Sequence, residues 1–164
     1  MAEVVASVSD CSEFLLGGRP PQIPGIIEGG VIKDQNRYKP ICQTFNNTRR
    51  FLTVYDTTNK IPVFSAYKFK KIESKKRPKI PWMIEPQLSG DTDKNMKNYK
   101  PTKDDKQAID DDYKNNSQCC DRGHLYPVSY GPEVDDKKST FTLTNAVPQA
   151  KKFNSGRWRA VLKS

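Results

Sequence analysis

The chain has 164 residues, enough for one domain with a core of useful size. Lys and Arg number 28 against 19 Asp and Glu, a net charge of +9 that suits either a polyanionic partner or solubility alone. Apolar runs such as Phe14-Leu15-Leu16 cannot span a bilayer, 12 Pro and 9 Gly without a period exclude collagen and repeat architectures, and His124 is the single imidazole for acid–base chemistry near neutral pH.

The first residues, Met1-Ala2-Glu3-Val4-Val5-Ala6, carry neither the basic start nor the apolar stretch of a secretory leader. Residues 10–48 read as irregular, broken by Pro20-Pro21, Pro24-Gly25 and Gly29-Gly30, and set apart as an N-terminal segment (1–48) from the rest (49–164). Cys11 and Cys42 bracket this stretch, and a disulfide between them would contribute on the order of 3 kcal/mol. With Cys119 and Cys120 the cysteines number four, at spacings that match no zinc motif. An even cysteine count and two glycosylation sequons, Asn46-Asn47-Thr48 and Asn115-Asn116-Ser117, lean toward a secreted or luminal protein whose leader lies outside this sequence.

Phe51–Asp56 and Ile61–Phe69 are β-type runs joined by turn-like Thr57-Thr58-Asn59-Lys60, a predicted hairpin with Pro62 at a strand start or edge. Phe64 and Ala66 alternate with Ser65 and Tyr67, which predicts one buried face. Residues 70–79 are lysine-rich and 86–107 read as a loop. A short helix is predicted over Gln107–Tyr113, with Asp110-Asp111-Asp112 as a solvated acidic face rather than a metal cluster. Phe141–Val147 is a third β-type run closed by Pro148, and Asn154 is placed to cap a last helix.

The chemistry concentrates in Asp121-Arg122-Gly123-His124. A neutral imidazole takes a proton from water, Asp121 or a carbonyl can fix its tautomer, and Gly123 permits a sharp turn beside it. Taken alone, the same string also describes a surface histidine beside an Asp–Arg pair. Downstream stand Asn145, Val147-Pro148-Gln149, and then Asn154, Gly156 and Trp158. Asp-Arg-Gly-His, Asn-x-x-Pro-Gln and Asn-x-Gly-x-Trp in this order and spacing resemble the DNA/RNA non-specific endonuclease family. Ser9–Phe14, Phe51–Phe69, Arg77–Leu88 and Ser139–Asn145 look like the vertebrate endonuclease domain-containing 1 group within it.

The resemblance implies an α+β fold of the ββα-metal (His-Me finger) type with an antiparallel sheet. It implies Mg²⁺-dependent hydrolysis of DNA and RNA phosphodiesters, one ion per site, with Mn²⁺ as a substitute. His124 would be the general base and Asn154 the direct protein ligand of the metal. Asn145 would orient the site, and Asp121 and Arg122 would support the histidine turn. Arg77 and Arg157 would bind substrate phosphates, with Arg159 and the lysine-rich 70–79 segment as further backbone contacts, and Trp158 would anchor the helix by packing rather than serve as a base-stacking platform. Two departures favour the alternative of a catalytically weak or inactive nucleic-acid-binding or extracellular interaction protein. Leu162 stands where the family carries a glutamate that holds metal-bound water, and family domains run on beyond the point where this sequence stops, so an incomplete C-terminal part is expected.

Overall fold

The computed structural model describes residues 3–71, 76–98, 100–114 and 120–162. Cys119, the sequon at 115–117 and part of the lysine-rich run lie outside the described residues.

β1 (Ile27–Glu28) and β2 (Val31–Ile32) form a small antiparallel ribbon. The main sheet is antiparallel, in the order β3 (Tyr38–Phe45), β4 (Thr48–Asp56), β5 (Ile61–Ala66). The expected hairpin is β4–β5, with Pro62 near the start of an edge strand, where its missing N–H costs no ladder bond. β3 corrects the reading of residues 10–48 as irregular throughout. Its Pro40 masks a strand signal, but the strand lies at the sheet edge and turns into β4 through Asn46 and Asn47, both at positive φ (51° and 59°). Asparagine tolerates that left-handed conformation, which matches the twist of a tight hairpin.

Residues 3–5 run along the free edge of β3. Val5 N–H donates to Pro40 O at 3.0 Å and Cys42 N–H to Glu3 O at 2.8 Å. The Cys11–Cys42 disulfide, with Cα atoms 5.5 Å apart, pins the same segment to β3. Cys120 carries no free thiol.

β4 is buried on both faces. Leu52 and Val54 pack with Val8, Cys11, Ile27, Ile32 and Cys42 on one side. Phe51 and Tyr55 pack on the other, against Met83, Met96 and Tyr126 and against Ile41 and Leu88 respectively. Phe64 and Ala66 of β5 join the first side, but Ser65 and Tyr67 are equally half-buried on the second, so β5 does not show the single buried face expected from its alternation. Ser65 turns to the second side, which carries the site.

α1 (Asp110–Lys114) is the short acidic helix, and α2 (Val134–Ser139) follows later in the chain. A separate antiparallel pair joins β6 (Cys120–His124) to β7 (Ala146–Ala150), with His124 opposite Ala146. A helical stretch then runs from α3 (Lys151–Phe153) through a π turn (Asn154–Trp158) into α4 (Arg159–Val161). Strand, strand and helix thus form a ββα unit within an α+β chain. Two sequence expectations need correction here. The run 141–147 is a strand only from Ala146, because Leu143–Asn145 coils into a 3₁₀ turn while Leu143 N–H donates to Met83 O at 2.9 Å. Asn154 does not cap its helix, which has begun three residues earlier at Lys151.

Candidate active site

The Asp-Arg-Gly-His segment is a strand, not the sharp turn expected from Gly123. The glycine is required for another reason. A Cβ at position 123 would lie 2.5 Å from Oε1 of Gln149, whose side chain crosses from the paired strand β7. Only a residue without a side chain lets the two strands close.

On a strand, residues two apart share a side. Arg122 and His124 accordingly both meet the Trp82 indole. The imidazole lies 4.7 Å from that ring and 5.0 Å, edge on, from Phe141. The Arg122 guanidinium lies 5.8 Å over Trp82 and 5.3 Å over Tyr113. Burial in this aromatic setting, with the charge of Arg77 nearby, pushes the His124 pKa down to about 3. The ring is therefore neutral across the physiological range. Among the described residues its buried Nε2 atom has no hydrogen-bond partner, and Asp121 bonds to Asn154 rather than to the imidazole.

Asp121 serves Asn154 instead. The Asn154 Nδ2 amide donates to Asp121 Oδ2 at 3.2 Å. With its nitrogen committed, the amide leaves Oδ1 as its acceptor. Arg122 is held by Asp110 of α1, through an ion pair to Oδ1 and a 3.2 Å bond to the backbone carbonyl. Asp110 is thus a counter-ion and not part of a purely solvated face, whereas Asp112 caps the helix start through Ile109 N–H at 2.9 Å.

Asn145 is fully buried and fully engaged. Its Oδ1 accepts from Tyr126 N–H and Ser65 Oγ, each at 3.0 Å. Its Nδ2 donates to Tyr126 O at 3.1 Å and Thr140 O at 3.0 Å. Its own carbonyl accepts from Leu125 N–H at 3.0 Å. Asn145 therefore fixes the two residues that follow His124, and no side-chain hydrogen-bonding capacity remains for substrate.

His124, Arg122 and Asn154 open into one cleft of about 550 Å³, lined also by Lys76, Arg77, Lys137, Trp158, Arg159 and Leu162. Arg77 lines this cleft, with its guanidinium 5.2 Å over Phe141. Of the two helix arginines expected to meet substrate, both exposed, Arg159 lines the cleft and Arg157 lies outside the lining. Trp158 lines the cleft, its ring stacked on that of Phe153 at 6.1 Å.

The sequence profile of the DNA/RNA non-specific endonuclease family matches residues 31–161, about four-fifths of the chain. The chain belongs to this family. It is 30% identical over 173 residues to the Endonuclease domain-containing 1 protein of Homo sapiens, covering 100% of this chain and 31% of that protein. The corresponding Mus musculus protein is 30% identical over 168 residues, covering 97% of this chain and 30% of its own length. The chain thus spans less than a third of the curated relatives it matches.

The family is generally divalent-metal dependent. Among the described residues no group of three or more His, Cys, Asp or Glu side chains converges. The donor set is one amide oxygen with a carboxylate a hydrogen bond away. That sparse set fits a hard cation that keeps most of its waters and takes substrate oxygens, and it does not fit a dedicated protein cage. Leu162 adds an aliphatic wall.

Trp82, Asp110 and Lys137 carry parts of the site that the sequence motifs do not assign. Trp82 and Asp110 lie 42 and 12 residues from the side chains they meet, His124 and Arg122, so spacing along the chain gave no signal.

Proposed function

We propose that the cleft hydrolyses phosphodiester bonds of DNA and RNA, with His124 as general base and Asn154 as the protein's direct ligand for Mg²⁺. The observation that carries this reading is the meeting of a neutral imidazole and a carboxylate-held amide oxygen in one cationic cleft. Arg77, Arg159 and Lys76 draw in and seat the backbone phosphates, contacts that carry no base information and suit a non-specific enzyme. His124 takes a proton from a water in line with the phosphorus. The new P–O bond forms as the bond to the 3′ oxygen breaks, leaving a 5′ phosphate, and the 3′ oxygen is protonated from solvent. Arg122, fixed by Asp110, lies beside the imidazole to meet charge that grows on the phosphoryl oxygens. Asp121 keeps the Asn154 oxygen aimed. Held by Asn154, a divalent ion would supply charge stabilisation at the phosphorus and the leaving oxygen.

Leu162 favours a second reading, a cleft that binds nucleic acid and cuts it poorly. The Cys11–Cys42 disulfide supports an extracellular or luminal setting for either. Plasmid cleavage with Mg²⁺ separates them, comparing the parent with His124→Ala in this chain and in a form spanning the relatives' length. His124-dependent cutting is expected; salt-sensitive binding with no cutting in either form leaves only the binding reading.

A further inference from the structure

Among the ionisable residues lining the cleft, the mechanism above gives Lys137 no task. This lysine on α2 is only 2% exposed, yet its side chain reaches the cleft wall formed by Pro127, Val128 and Ser129. Its ammonium donates to Val128 O at 3.3 Å and makes no ion pair among the described residues. The acidic residues around it are committed elsewhere. Asp136 pairs with Arg50 at 3.2 Å, Asp135 accepts from Lys138 at 3.2 Å and from Asn46 at 2.9 Å, and Glu133 caps its own helix. Burial lowers the lysine's pKa, only partly opposed by Asp136. A buried ammonium with one neutral acceptor is an expensive arrangement unless an anion completes it. The approach is also built into the backbone. Gly131 has no Cβ where one would lie 2.8 Å from Lys137 N and 2.9 Å from its Cγ, so the lysine stem packs directly on the chain.

Resting on the proposed nuclease reading, we infer that Lys137 is a phosphate-binding residue of the cleft, completing its coordination with a backbone phosphate of the nucleic acid. It acts on substrate affinity and not on proton transfer. A lysine kept only for packing would show no dependence on salt.

The test uses the His124→Ala background, so that substrate is bound and not cut. A short fluorescein-labelled DNA single strand is titrated at salt from about 50 to 200 mM. Lys137→Met keeps the stem and removes the charge; Lys137→Gln is the second variant, and thermal unfolding of each is followed in parallel. The expected result is about tenfold weaker binding at low salt, with the slope of log Kd against log salt shallower by about 0.7, one phosphate contact on a single strand. In the His124-containing protein the same change raises KM and leaves the pH profile of kcat in place. An unchanged salt slope, with or without a fall in Tm, overturns the inference. If the parent shows no salt-dependent binding at all, it is the nucleic-acid reading that fails. Lys137 is then judged on inorganic pyrophosphate, followed at its side-chain amine by NMR. A saturable shift of that signal upholds an anion site, and its absence removes it.

Discussion

Asp121 and Asn154 sit 33 residues apart in sequence and meet through one hydrogen bond of 3.2 Å, from the amide nitrogen to the carboxylate. That bond decides which end of the amide is offered to a cation. Asp121→Ala frees the amide to rotate, and partners of this kind are worth roughly 10- to 100-fold in metal affinity or activity. The expected outcome is a higher Mg²⁺ requirement for plasmid cleavage, with the fold and Tm nearly retained. A Mg²⁺ titration identical to the parent's would remove Asp121 from the site.

His124 titrates far below the free imidazole because burial disfavours its charged form and Arg77 adds to this. The imidazole should therefore stay neutral as pH falls from 7 to 5, and, with His124 as the proposed base, cleavage should lack a histidine-shaped acid limb in that window. Stability moves the other way. Below about 6.5 the unfolded chain gains a proton that the folded chain refuses. Stability from this group is complete above that value and is lost as pH falls toward about 3. His124→Phe should flatten the acid side of a Tm–pH curve, and His124→Ala should lower cleavage by roughly 10² to 10⁴.

Replacing Asn145 strands several buried groups at once. Asn145→Ala leaves Tyr126 N–H and O, and Thr140 O, without their present partner. At about 1–3 kcal/mol for a stranded buried group, the loss should be about 3 kcal/mol or more. Urea unfolding should show it, with hydrogen exchange rising first at Leu125 and Tyr126. A loss of activity without a loss of stability would instead place Asn145 in contact with substrate.

Glu3 and Glu85 face each other in full burial. Burial raises both, and for Glu3 the neighbouring Glu85 adds to it, so the pair keeps a proton that an unfolded chain gives up. The stability this proton confers is complete below the ordinary glutamate range and is lost as pH rises above it. Glu3→Gln should raise the denaturation midpoint at pH 8 and change it little at pH 4. An equal effect at both would mean that no proton is shared.

The sequence carried the β4–β5 hairpin and the identity of the ββα motif, because each rests on residues close in sequence or on a tightly spaced pattern; it left the cysteine pairing open, since 31 residues separate Cys11 from Cys42. It did not carry β3, whose Pro40 and polar Gln43 and Thr44 blur the period, although Thr44 finds its partner in Glu3 on the far side of a turn of chain. It misplaced the start of the last helix, since Asn154 suits a cap and the actual first residues are two lysines. It read Gly123 as a turn because steric need from Gln149 is invisible without the neighbouring strand. Arg157 and Arg159 look alike in sequence and both are exposed; only the fold shows that Arg159 lines the cleft and Arg157 does not.

The disulfide has a consequence for how the molecule survives proteolysis. A single cut anywhere between residues 12 and 41 leaves both pieces joined through Cys11 and Cys42. Residues 3–5 stay docked on the edge of β3 by their own backbone bonds, and the cleft lies on the opposite side of the sheet. A nick at exposed Lys33 would thus pass unseen on a non-reducing gel and leave the cleft intact, and only reduction would release the fragment.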